Sequence, residues 1–226
     1  MDVGCVEDHR SRFTATRYGS HGFVAVSKGF DQENFDIRSS ETPNATGRKL
    51  VMNKGLNILV STGYTQLNEI NRVFEGHECV VNTRLMSSVS LNECTGNRVM
   101  PIILLGHANP GAFKVHEALR CTGQEVISML TKRGLHFDRY GCIFLAGCNG
   151  AAGNLYQDIA NSSQLPTLAS TTEVNMAKTQ DRVTFNPIGG RWEIFNPSNA
   201  RIYSLDDASY AWVRHPLNMM GITLVP

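Results

Sequence analysis

Two apolar runs, "MPIILLG" at residues 100–106 and "GCIFLAG" at residues 141–147, place the tightest constraint on what this chain can fold into. Neither alternates polar with apolar residues, so a strand built from either must be covered on both faces, as the inner strands of a parallel sheet are. The intervening sequence supplies one covering layer. "TGQEVISMLTKRG" opens with Thr122 and Glu125 in capping-box spacing and closes on Gly134, which predicts a helix.

The same alternation runs through the middle of the chain. "LNILVST" predicts a strand from residue 56, "TQLNEINRVFEG" an amphipathic helix with Leu67, Ile70 and Phe74 on one face, and "HECVVNTRL" a second strand. After the second apolar run, "NLYQDIANSS" predicts a helix and "LPTLAST" another strand. Beyond residue 173 come short strands and turns, "VTFN", "PIGG", "RWEIFNP" and "RIYSL", followed by a tail rich in aromatics and methionines that is expected to pack. Strands alternating with helices define a doubly wound α/β sheet, here with a β-rich appendix.

At 226 residues and 42% hydrophobic content the chain is long enough for one sizeable core. Residues 1–50 are rich in Ser, Thr, Asn, Gly and charge and predict an irregular extension, with a short strand in "HGFVAVSKGF"; residues 51–226 form the domain. With 21 basic and 20 acidic side chains the net charge is +1, so no global field draws the chain to nucleic acid or a membrane surface. No run approaches the roughly 18–20 apolar residues of a membrane span, and the N-terminus lacks the apolar centre of a Sec-type signal. Six cysteines, at 5, 79, 94, 121, 142 and 148, show neither CxxC pairs nor a metal-ligand rhythm with the histidines; they are expected to be mostly free thiols with no metal.

Each apolar run ends in a glycine and then a reactive side chain, His107 in one case and Cys148 in the other. A right-handed crossover carrying one helix makes the two strands neighbours or near neighbours, and the functional crevice of an open α/β sheet lies at the carboxyl ends of its strands. A thiol beside an imidazole or a helix N-terminus is a candidate nucleophile, and Gly147 and Gly150 around Cys148 allow the close backbone approach of an oxyanion site. A single strand-end cysteine is more often a small buried hydrophobe, the role expected of Cys142. Two apolar strands ending alike, one in a nucleophile and one in a base, favour chemistry.

The blocks "ILLGHANPG" and "IFLAGCNGAAG" resemble the catalytic blocks of clan CD cysteine peptidases, the caspase-like fold. Within the clan they are most similar to the autoprocessing peptidase domains of large bacterial toxins and related secreted effectors. There the cysteine block is followed by a Ser-Ser-Glu strand and a hairpin with a Gly-x-Trp element; this chain has "LASTTEVNM" and "IGGRWEIFNP" in that order. The resemblance spans roughly residues 56–205 and departs from the family at Ala108, where glycine is common.

The resemblance implies a caspase-like, mostly parallel sheet with a β-flap at about 174–205. It implies a Cys148 nucleophile assisted by His107, backbone oxyanion binding around Gly106, His107, Gly147 and Cys148, and a substrate pocket walled by Thr171 and Glu173. It further implies activation by inositol hexakisphosphate on a basic pocket, with Trp192 as connector. Arg182 matches the basic start of the family's hairpin, Arg191 sits beside the tryptophan, and the family's N-terminal basic position falls near Lys54, with Lys49 and Arg48 as close competitors; Arg201, Arg72 and Lys178 extend the set a six-phosphate ligand needs. The chain is then expected to be a bacterial effector, secreted without a Sec-type signal and acting in the host cytosol on a host protein, on itself, or on both. The alternatives are an inactive relative that binds partners through the same cleft or phosphate pocket, and a cysteine-dependent acyltransferase.

Overall fold

The structure of the protein, a computed structural model, describes residues 56–61, 81–96, 98–116, 118–179 and 182–226. The N-terminal extension, the helix expected from residue 65, and Arg48, Lys49, Lys54 and Arg72 lie outside the described residues. Within them the strands are β1 (Leu56–Val60), β2 (Val81–Leu85), β3 (Pro101–Leu105), β4 (Phe113–His116), β5 (Leu119–Cys121), β6 (Cys142–Ala146) and β7 (Thr167–Ser170). They continue with β8 (Val174–Thr179), β9 (Arg182–Pro187), β10 (Trp192–Asn196), β11 (Arg201–Ser204) and β12 (Ile222–Leu224). The described helices are α1 (Gly123–Lys132), α2 (Leu155–Ser163) and α3 (Ala211–Met219).

The architecture is mixed α/β, with a mostly parallel central sheet flanked by helices. Seven strands run in the order β2-β1-β3-β6-β7-β10-β11. β2, β1, β3, β6 and β7 are mutually parallel; β10 is antiparallel to β7, and β11 to β10. The two apolar runs are β3 and β6. Both are buried at every position and they lie side by side in the middle of the sheet.

Covering them takes two different layers. On one face Leu59, Leu104, Leu145 and Ala169 pack with Val126 and Leu130 of α1 and Leu155 and Ile159 of α2. On the other, Ile58, Ile103, Phe144 and Leu168 pack with Val213 and Leu217 of α3 and with Met176, Val183, Phe185 and Ile222 of a second sheet. Each fully buried Leu, Ile or Phe contributes roughly 1.5–3 kcal/mol of apolar burial, so both layers are needed to keep β3 and β6 out of water.

The capping box is present at α1: the Thr122 hydroxyl accepts from the Glu125 N–H, and the Glu125 carboxylate accepts from the Thr122 N–H at 2.8 Å. The β-rich appendix divides between two sheets. β8 and β9 form an antiparallel hairpin that β12 joins in parallel to β9, making a three-stranded sheet, while β10 and β11 extend the central one. The C-terminal tail packs as expected, through α3 and β12. One element unanticipated in the sequence is the β4–β5 hairpin, which rises from the loop that carries His107.

Candidate active site

The parallel register of β3 and β6 sets Leu105 opposite Ala146. The next residues, Gly106 with Gly147 and then His107 with Cys148, therefore leave adjacent strands at the same carboxyl edge of the sheet. The two exits press together at glycines. A Cβ on Gly147 would lie 2.7 Å from the Gly106 carbonyl oxygen and 2.9 Å from Cβ of Ala108, so the Ala108 methyl uses the space that Gly147 leaves open. A Cβ on Gly106 would overlap Ser61 Oγ, and the Gly106 N–H is already donated to Ala146 O at 3.4 Å. Gly106 thus serves by its small size.

The His107 loop is shaped by a side chain. Asn109 Oδ1 accepts from the N–H groups of Gly111 at 3.0 Å and Ala112 at 2.7 Å, folding the Asn-Pro-Gly turn back on itself. Ala108 then pairs with Phe113, and the Lys114 N–H donates to His107 O at 2.8 Å. These bonds hold half-buried His107 at the root of the β4–β5 hairpin.

The Cys148 loop is held instead by backbone bonds to the exit of β7. Asn149, in the left-handed region at φ 57°, donates its N–H to Thr172 O at 2.8 Å, and Ala151 donates to Ser170 O at 2.8 Å. The Val174 N–H, at the start of β8, donates to Cys148 Sγ at 3.5 Å. Cys148 is a free, half-buried thiol, and Cys94, Cys121 and Cys142 are free and buried. Cys142 in β6 and Cys148 two residues beyond its end differ in burial: full burial pushes the Cys142 thiol up to about 12, whereas Cys148 is only half-buried.

Burial also raises the Cys148 thiol above its ordinary pKa; the Val174 N–H opposes that, and the Glu173 charge adds to it. His107 is shifted the other way, below the usual imidazole value, first by burial and then by the Lys114 and Arg120 cations. Near neutral pH the resting pair is therefore a protonated sulfur and an uncharged imidazole, a nucleophile precursor and a base.

The remaining sequence-derived residues scatter. Glu173 is exposed, and its carbonyl accepts the Ile188 N–H at 2.8 Å. The Thr171 hydroxyl is occupied by the backbone of Arg191, accepting its N–H at 3.0 Å and donating to its carbonyl at 3.2 Å. The Arg191 guanidinium forms two hydrogen bonds to Glu193 Oε1, at 2.9 and 2.6 Å. Arg182 is exposed and reaches Thr223 Oγ1 at 3.3 Å; it pairs with Thr179, while Val174 pairs with Pro187, so it stands at the end of the β8–β9 hairpin remote from the thiol. Arg201 is exposed on the edge strand β11. Trp192 is buried, edge-on to Phe144 with ring centroids 5.3 Å apart, and its indole N–H donates to Val225 O at 2.8 Å.

Sequence reasoning missed four contributors: Val174 through its amide, Lys114 and Arg120 through their charge, and Ser61. Ser61 is fully buried at the end of β1, and its hydroxyl has no hydrogen-bond partner among the described residues. The alternation in "FKVHEALRC" was the available signal for the hairpin that carries the two cations. Among the described residues no group of His, Cys, Asp and Glu is arranged to hold a metal ion, and no helix is long and apolar enough to cross a membrane. Comparison with known protein families, curated proteins and solved structures finds no match to this chain.

Proposed function

We propose that the chain is a cysteine endopeptidase of caspase-like type, with Cys148 as nucleophile and His107 as its acid and base. The single observation carrying this reading is that β3 and β6 are adjacent and in register, so that a half-buried thiol and a half-buried imidazole leave one edge of the sheet together. In the reaction Sγ forms a bond to the substrate carbonyl carbon, and the thiol proton passes to His107. His107 returns that proton to the leaving nitrogen as the C–N bond breaks. Water then cleaves the thioester, releasing the acid and restoring the thiol. A Cβ on Gly106 or Gly147 would overlap its neighbours, so the two strand exits run close together; the oxyanion is taken to be bound by backbone N–H groups near His107 and Cys148.

Inositol hexakisphosphate is the proposed activator, and a host protein, with or without the chain itself, the proposed substrate, met in a host cytosol after secretion that bypasses the Sec route. Two observations support a route from the ligand to the sulfur. The β8–β9 hairpin is a rod with exposed Arg182 at one end and the Val174 amide on Cys148 at the other. Trp192 joins the two sheets, since its strand lies in the central one and its N–H bonds the residue that follows β12. Arg191 would have to release Glu193 to reach a phosphate.

The test is to incubate the full chain and its Cys148→Ala variant with eukaryotic cytosol, with and without inositol hexakisphosphate, and to map new protein N-termini by mass spectrometry. New termini with the wild type alone, more numerous with the ligand, are expected. Identical profiles in all four samples would leave the cleft as a binding surface.

A further inference from the structure

The cations beside His107 form a pair that folding does not explain. Lys114 and Arg120 are direct cross-strand partners in the β4–β5 hairpin. Their neighbours Phe113 and Cys121, partners in the same register, are buried in the core, so the alternation of the strands turns both cations to the opposite face. Like charges set directly opposite each other repel. Among the described residues neither is in an ion pair; the pairs there are Arg84 with Glu93, Arg191 with Glu193 and Arg214 with Asp206.

Position gives the pair its meaning. The Lys114 N–H is bonded to His107 O, so the hairpin starts at the histidine itself, and both positive charges act on the imidazole. On the peptidase reading, His107 protonates the leaving amine. The residue that begins the departing fragment therefore lies on the histidine side of the sulfur, beside the hairpin, while the acyl fragment lies toward Glu173 and Val174. Two cations next to that site favour an anionic side chain and disfavour a cationic one.

We propose that Lys114 and Arg120 make this a peptidase that cuts before acidic residues, selecting Asp or Glu immediately after the scissile bond. The inference rests on the peptidase reading and goes beyond it by naming the substrate feature and the residues that read it.

The experiment uses the full chain, supplied with inositol hexakisphosphate, on a library of peptides from a digested proteome, with the residue after each new cut read by mass spectrometry. Two synthetic peptides that differ only in Asp or Lys at that position then give kcat/KM values. The expected result is enrichment of Asp and Glu in the library and an Asp peptide cut about tenfold faster than its Lys counterpart, with the order reversed in the Lys114→Glu, Arg120→Glu variant. Thermal unfolding shows whether that variant is folded, and Lys114→Gln, Arg120→Gln, which adds no charge, is expected to flatten the preference. Equal rates for the two peptides overturn the inference and leave the peptidase reading intact. A doubly reversed variant that keeps the Asp preference but no longer responds to inositol hexakisphosphate also overturns it, assigning the cations to the phosphate ligand. If no peptide in the library is cut, the peptidase reading falls and the inference with it.

Discussion

β3 and β6 are buried alike at every position, yet the loops they release are held by different means. The His107 loop is shaped by the Asn109 side chain and prolonged into a hairpin bearing Lys114 and Arg120. The Cys148 loop has no such hairpin; its backbone is laced to the exit of β7 and its sulfur to the amide of Val174, with Glu173 nearby. Equivalent strands thus deliver an imidazole into a positive field and a thiol into a negative one. Burial pushes both groups toward their uncharged forms, and the charges on the two loops add to that push.

The harshest way to break the comparison is to delete one side of it. On the proposed peptidase reading, Cys148→Ala is expected to abolish peptide cleavage, and His107→Ala to lower kcat/KM by roughly 10²–10⁴, the usual contribution of a positioned acid and base. Thermal unfolding midpoints should move little in either case, because both side chains are only half-buried. A His107→Ala enzyme with the wild-type rate would separate the two strand ends chemically.

Next comes the packing that holds the ends together. Gly147→Ala places a methyl against Gly106 O and the Ala108 methyl, and Gly106→Ala places one on Ser61 Oγ; each is expected to destabilise the fold by about 1–3 kcal/mol, read from denaturant midpoints. Gly106→Ala is expected to be partly rescued by Ser61→Gly, which removes the nearest opposing atoms, whereas Gly147→Ala, which meets Gly106 O and the Ala108 methyl, is not. Rescue of both by Ser61→Gly would show that the two exits share one packing site.

Much of this edge was legible in the sequence, since unbroken apolar runs, a capping box and a terminal glycine are local signals. The strands β3 and β6, the helix α1 and the departure of His107 and Cys148 from one edge of the sheet all followed from them. What was not legible is what depends on distant pairing. β12 lies parallel to β9 across the whole of β10, β11 and α3, and nothing within Ile222–Leu224 announces that partner. The division of residues 174–205 between two sheets has the same origin, as does the Val174 amide on the sulfur. The cationic pair was hidden for another reason: alternation in a short hairpin shows that two side chains share a face, and says nothing of which group that face meets.

The opposite shifts of the two residues predict a pH profile. His107, held below its ordinary value, stays neutral as pH falls to about 6.5, so the acid limb of kcat/KM lies below that point. Cys148, held above its ordinary value, is expected to react with iodoacetamide along a curve whose inflection lies above the roughly 8.5 of a free cysteine. Titrating the alkylation rate with His107 present and with His107→Ala checks both. An inflection near pH 6 would mean a preformed thiolate and would cancel the difference between the two loops.

The mildest change, Glu173→Gln, sharpens the comparison most. The Glu173 charge is the last of three influences on the thiol, behind burial and the Val174 N–H, so its removal lowers the Cys148 pKa only slightly. Because the carboxylate is exposed, salt screens what remains. The expected outcome is an alkylation rate at pH 8 raised about twofold to threefold in low salt and indistinguishable from wild type at about 1 M. Lys114→Gln is the mirror experiment, since it relieves a positive charge on His107 and shifts the acid limb of kcat/KM upward. If each substitution moves its own limb and leaves the other in place, the two loops act as separate fields around one reaction. If either moves both limbs, the imidazole and the thiol titrate as a coupled pair, and the charge difference between their loops is shared.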